Sequence, residues 1–155
     1  MKLFVLLASV VLTPLLFASG WPQQAGLARA GAIEDDRLTG KVGELLNRGV
    51  WCHRSRAPVG FVLNFFHFDD REVRIDNKYV SDEGTVMRKA TFAGSWSVTV
   101  SAADVVGVHF EIAKASDEDL PPPRDLSLRV IGDDKLAYSN GEKFNLVGDE
   151  TGFCG

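Results

Sequence analysis

Cysteine is scarce in this chain of 155 residues: Cys52 and Cys154 are the only two. So few exclude a cysteine-rich zinc module and a multi-bridge mini-scaffold. Basic charge is not in excess either. Seventeen Lys and Arg face 21 Asp and Glu, a formal net charge of -4, which speaks against a nucleic-acid binder and its basic face. The chain has no Gly-x-Ser-x-Gly elbow, no phosphate-cradling glycine loop and no zinc-protease motif. No Ser-His-Asp arrangement can be argued, so no catalytic residue is assigned and the chain reads as a non-enzyme that needs no cofactor. Asn-x-Ser/Thr sequons are absent, and so is any second long apolar run after the first twenty residues. The mature chain is therefore expected to carry no membrane span. What is present is ordinary globular material, 45% hydrophobic and 25% charged, in a length that suits one domain.

The first twenty residues read as an address. Met1 and Lys2 give a short positive start, Leu3 to Phe17 run almost without a polar group, and Ala18, Ser19 and Gly20 supply small residues where a signal peptidase cuts. A membrane anchor is the competing reading, but Thr13 and Pro14 interrupt a run already shorter than the roughly 20 residues that span a bilayer. The expectation is a signal peptide over 1–20 and a secreted or periplasmic protein. Residues 21–44 follow as a flexible N-terminal segment with a short helix, placed at Lys41 to Asn47, and 45–155 form the folded domain. In an oxidising compartment the even cysteine count points to a Cys52–Cys154 disulfide, with two unpaired thiols as the alternative.

From Gly49 onward the pattern is that of strands. Phe61 to Phe68 is rich in strand formers, and Asp69-Asp70-Arg71 turns it back on Glu72 to Ile75. Asp82-Glu83-Gly84 precedes a strand over Thr85 to Phe92, and Ala93-Gly94 reads as another break. Then Trp96, Val98 and Val100 alternate with Ser95, Ser97, Thr99 and Ser101, and Val106, Val108, Phe110 and Ile112 alternate with Gly107, His109 and Glu111. Such period-two alternation buries one face and wets the other. Leu126, Leu128 and Val130 repeat it. Ser139-Asn140-Gly141 marks a hairpin between the last two strands. About eight short strands joined by tight turns make an antiparallel all-β meander. Closure into a barrel hides its edges, and a tie between an early segment and the chain end suits closure. An open sandwich is the other architecture the pattern allows.

Two short motifs carry a resemblance. Gly49-Val50-Trp51 opens the first strand after a short helix, and Gly94-Ser95-Trp96-Ser97-Val98 forms a Gly-x-Trp-x-Val strand. In both the chain resembles the lipocalin-like (calycin) barrels, over roughly residues 45 to 150. The resemblance implies that Gly49 and Trp51 are structural, with Trp51 closing one end of the barrel. It also implies a late-strand arginine packed on that tryptophan, a part Arg129 could serve. An exported carrier of a small apolar or amphipathic molecule is the function it suggests.

An inward face made of Trp96, Val98, Val108, Phe110 and Leu128 would line a ligand cavity, or fill the barrel as a packed core. His67 with Asp69, and His109 with Glu111, are imidazole–carboxylate neighbours. A solvated surface pair is the ordinary outcome for such neighbours, and no metal site is assigned. The acidic and proline-rich stretch Ala115 to Asp125 is expected as a long exposed connection, in the first place a solvated acidic loop stiffened by proline, with a rim loop that covers a barrel mouth or meets a protein partner as the functional alternative. A protein-interaction module, such as a protease inhibitor or an envelope assembly factor, is therefore the alternative function.

Overall fold

Turn chemistry and strand alternation are realised in a computed structural model that describes residues 23–149 and 154, apart from 103, 133 and 134, with side chains from residue 35 onward. The address segment 1–20 lies outside the described residues. Helix α1 (Gln23–Leu46) precedes β1 (Val50–Arg56), β2 (Phe61–Asp69), β3 (Glu72–Val80), β4 (Val86–Ala102), β5 (Val105–Ala115), β6 (Leu126–Ile131), β7 (Lys135–Tyr138) and β8 (Lys143–Val147). Each strand pairs antiparallel with the next. The ring closes where Val50, Trp51 and Cys52 of β1 meet Val147, Leu146 and Asn145 of β8. That pairing makes the fold a closed eight-stranded meander barrel rather than a sandwich.

The helix expected over 41–47 is there, but it starts further upstream, at Gln23. Two strands also differ from the sequence reading. The hairpin partner of β2 continues past Ile75 through the polar Asp76-Asn77-Lys78 to Val80. The strands expected on either side of Ala93-Gly94 are one strand of 17 residues, β4. Gly94 does not turn the chain. The register with β5 slips there, and a Cβ on Gly94 would overlap the Glu111 carbonyl oxygen. Glycine permits the close approach that lets a long strand bend.

Alternation along the strands separates two apolar sets. Facing inward, Trp51, Phe66, Ile75, Phe92, Val106, Val108, Leu128 and Phe144 form the buried core. The last turns of α1 add Val42, Leu45 and Leu46 to it, all essentially inaccessible. The helix covers the end of the barrel where β1 begins. The Trp51 indole N–H donates to the carbonyls of Leu45 at 3.2 Å and Leu46 at 3.1 Å at the end of the helix, where Leu45 also accepts from the Arg48 amide at 3.2 Å. The same ring stacks on Phe144 with centroids 5.0 Å apart, and Lys41 Nζ donates to the Gly132 carbonyl in the β6–β7 turn. Arg129 does not pack on Trp51. It points outward, exposed, with Nε 3.4 Å from Asp104, because the odd positions of β6 face solvent while Leu126 and Leu128 face in. Phe144 provides the packing surface for Trp51.

The second apolar set lies on the outer wall. Cys52 and Cys154 form a disulfide across 102 residues of sequence with Cα atoms 5.6 Å apart. The bridge packs over Phe65, with Val50, Leu63 and Val147 around it. It ties the end of the chain to the outside of β1, where β8 already lies alongside.

Candidate functional site at the barrel mouth

The end of the barrel opposite α1 is bounded by the connections 57–60, 81–85, 116–125 and 139–142. Inward positions change character toward that end. In β1, Trp51 gives way to His53 and Ser55. In β2, Phe66 gives way to Asn64 and Val62, and in β3, Ile75 gives way to Asn77 and Tyr79. With Tyr138 of β7 these side chains wall a recess of about 420 Å³, with Phe66 and Leu126 at its apolar floor. That volume falls within the range of about 300–1,000 Å³ typical of small-molecule sites.

The wall is held by a short chain of contacts. His53 is buried, its ring 4.3 Å centroid to centroid from Tyr138 and its Nε2 3.1 Å from Glu142 Oε2. Asn64 Nδ2 donates to the His53 carbonyl at 3.3 Å. Asn77 is only 5% exposed, and its Oδ1 receives no hydrogen bond from any described residue. Buried acceptors of this kind are uncommon, because leaving one unmatched costs about 1–3 kcal/mol.

The connection 116–125 lies over the recess, with Pro121, Pro122 and Pro123 along it. It is tethered at both ends. Ser116 N–H donates to the Thr91 carbonyl at 2.9 Å and Ser116 Oγ accepts from Thr91 N–H at 2.8 Å, while Arg88 grips the Asp117 carboxylate. At the other end Asp125 accepts from Phe110 N–H at 3.0 Å and sits 2.8 Å from His109 Nδ1. Between them Leu120 packs against the core. The stretch is therefore a fastened strap over the mouth.

The five residues selected from sequence as cavity lining lie elsewhere. Val108 and Leu128 are fully buried, and Trp96, Val98 and Phe110 pack half-buried against the same core. None of the five borders the mouth recess. They fill the barrel toward α1, where Trp96 meets Phe68 edge-on at 5.0 Å. His109 is on the outer face as expected, but its partners are Asp125 and Thr99 Oγ1, at 2.8 Å each, rather than Glu111. Glu111 lies 3.4 Å from Ser95 Oγ. His67 pairs with Asp76 at 3.2 Å, not with Asp69, which is exposed. Among the described residues no cluster of three or more His, Cys, Asp or Glu could hold a metal ion.

A larger and more open groove of about 730 Å³ runs beside the bend in β4, bordered by His67, Arg74, Glu111 and Lys114. Two of its polar groups, Arg74 and His67, are engaged by Asp76, at 2.8 Å and 3.2 Å. The mouth is the better site because it joins polar walls to an apolar floor beneath a tethered strap.

Titration of the mouth follows from these contacts. Burial, and then the nearby Glu142, push the Tyr138 phenol above its ordinary range. Hydrogen bonds from Asn140 and His53 hold Glu142 below the usual carboxylate range. Hydrogen bonds from His109 and the Phe110 amide do the same for Asp125. A phenol raised in the folded state stabilises fully below the unfolded value near 10 and loses that contribution as pH rises through the folded one. Carboxylates lowered in the folded state stabilise above the unfolded value near 4 and lose that contribution as pH falls through the folded one. Melting temperature should therefore plateau near neutrality and fall at both ends. The Tyr138 phenolate should form only above the ordinary tyrosine range, in a step that Tyr138→Phe removes from the absorbance titration.

No protein-family model, no curated protein and no solved structure matches this chain.

Proposed function

We propose that the protein is an exported, lipocalin-like barrel that binds one small amphipathic molecule at its mouth. The observation that carries this reading is the recess itself: polar walls, an apolar floor and a tethered strap above, at the one barrel end that α1 does not cover. The apolar half of the ligand would rest on Phe66 and Leu126 beneath the prolines. Export is supported by the leader-like first twenty residues, and by a disulfide of the kind that persists in oxidising compartments.

Native mass spectrometry tests the reading. Wild-type protein and a recess-filling variant, Val62→Trp, are incubated with a small-molecule extract of the producing cells. Retention of the disulfide and a cooperative melt show that the variant folds. Wild type is expected to keep an added mass that denaturation releases, and the variant to lose it. No retained mass, or equal retention by both proteins, overturns the mouth as the binding site. A protein partner captured through the 115–125 strap would then become the better explanation of the fold.

A further inference from the structure

Resting on that reading of the mouth, we propose that Arg124 is its specificity-determining residue, and that the ligand is an amphipathic anion whose oxyanion head is held by the Arg124 guanidinium while its apolar body lies on the floor of the recess. Three observations converge on this. First, the formally charged residues bordering the recess are Arg124 and Asp125, and only Asp125 is answered. Its carboxylate accepts from the Phe110 amide at 3.0 Å and sits 2.8 Å from His109 Nδ1. Arg124 has no hydrogen bond or ion pair to any described residue. Second, carboxylates around the mouth are paired from within. Glu142 lies 3.1 Å from His53 Nε2, Asp82 lies 3.0 Å from Arg56, and Arg88 grips Asp117. Glu83 and Glu118, on the rim connections, do not border the recess. The whole chain carries a net charge of -4, yet the unanswered charge at this recess is positive. Third, the backbone that carries Arg124 is fastened. Three prolines with restricted φ precede it and the anchored Asp125 follows. Less ordering is then left for the ligand to impose.

A guanidinium presents paired N–H donors that match two oxygens of a carboxylate, sulfonate or phosphate. The hydroxyl-bearing residues of the wall, Ser55, Tyr79 and Tyr138, add no negative charge, and burial keeps the Tyr138 phenol protonated. A cationic amphiphile would meet like charge at Arg124, and an uncharged one would leave the guanidinium unused. Arg124 is exposed, so water and salt weaken the contact, to about fivefold in affinity.

Two probes that differ only in the anionic group test this: 8-anilinonaphthalene-1-sulfonate, and N-phenyl-1-naphthylamine, the same ring system without the sulfonate. Fluorescence titration of the whole disulfide-bonded protein reads both affinities. The ratio of sulfonate to neutral affinity is expected to fall about fivefold from wild type to Arg124→Gln, with binding of the neutral probe unchanged. Arg124→Lys should keep part of the ratio, because it retains the charge and loses the fork. High salt should weaken sulfonate binding to wild type and leave Arg124→Gln nearly unaffected. A cooperative melt checks that each variant folds. A ratio that is the same in wild type and Arg124→Gln overturns the role of Arg124, and so does a change carried by the neutral probe. In either case the mouth reading survives if Val62→Trp abolishes binding of both probes. Binding of both probes that Val62→Trp leaves intact, or failure of both to bind folded wild type, overturns the site and the residue together.

Discussion

Replacing Cys52 and Cys154 together by serine should lower the unfolding free energy by about 2–5 kcal/mol. The bridge spans 102 residues, and on the chain-entropy view a loop near that length restricts the unfolded chain by roughly 4.7 kcal/mol at most. The native state loses more than the constraint. Phe65 lies fully buried on the outer wall beneath the bridge, and releasing the chain end would bare it. Urea unfolding with and without reductant measures the effect. The midpoint of wild type should drop on reduction to that of the double variant, whose own midpoint should not respond to reductant. A change well under about 1 kcal/mol would mean that the pairing of β1 with β8 alone secures the chain end.

Trp51→Ala carries a comparable expectation, about 3–5 kcal/mol. The side chain is 1% exposed, stacks on Phe144 and donates to two carbonyls of the α1 terminus. Its removal opens a cavity beneath the helix and takes the indole donor from the Leu46 carbonyl, while Leu45 keeps the Arg48 amide. Trp51→Phe separates the two parts, since it keeps most of the ring and loses only the N–H. It should cost about 1–3 kcal/mol, the penalty of one unmatched buried carbonyl plus a smaller void. Hydrogen exchange should distinguish a local from a global effect, with amides of residues 42–46 deprotected before those of β4 and β5. Equal deprotection throughout would show that the helix and barrel unfold as one unit.

Much of the barrel was legible because its turns and its alternation are written in separate residue types. Asp70-Arg71, Asp82-Glu83-Gly84 and Asn140-Gly141 punctuate, while Trp96 to Val100 and Val106 to Ile112 alternate. Gly60, Gly84, Gly132 and Gly141 do adopt positive φ, but Gly94 does not. A glycine that admits a neighbouring backbone looks in sequence like one that turns the chain, and so β4 read as two strands. The end of β3 was hidden for another reason. Asp76, Asn77 and Lys78 are three consecutive polar residues, which suggests the end of a strand. In the barrel Asp76 and Lys78 lie half-buried on the outer wall, Asp76 among Thr91, His67 and Arg74 and Lys78 over the Phe65 ring, whereas Asn77 is an inward position that borders the recess.

The site was less legible than the fold for the same cause. Apolar alternation picks out the packed half of the barrel, so it selected Trp96, Val98, Val108, Phe110 and Leu128. A mouth lined by His53, Asn64, Asn77 and Tyr138 has no periodic apolar signal. Only strand register, which depends on pairing across the barrel, brings those four side chains together. The proline-rich strap was visible in the composition of 115–125, because three prolines between two strands cannot join a ladder.

The uneven lengths of β5 and β6 have a consequence for behaviour at high concentration. β6 pairs with β5 only from Val105 to Val108, so His109 to Ala115 have β4 on one side and no β6 partner on the other. Such a margin is where a second molecule could add a strand and begin an aggregate. Asp125 occupies the Phe110 amide there and pairs with the His109 ring. Glu111 and Lys114 add charges of both signs along the same stretch. The segment that covers the mouth therefore also keeps neighbouring molecules apart, and the two properties share a single carboxylate.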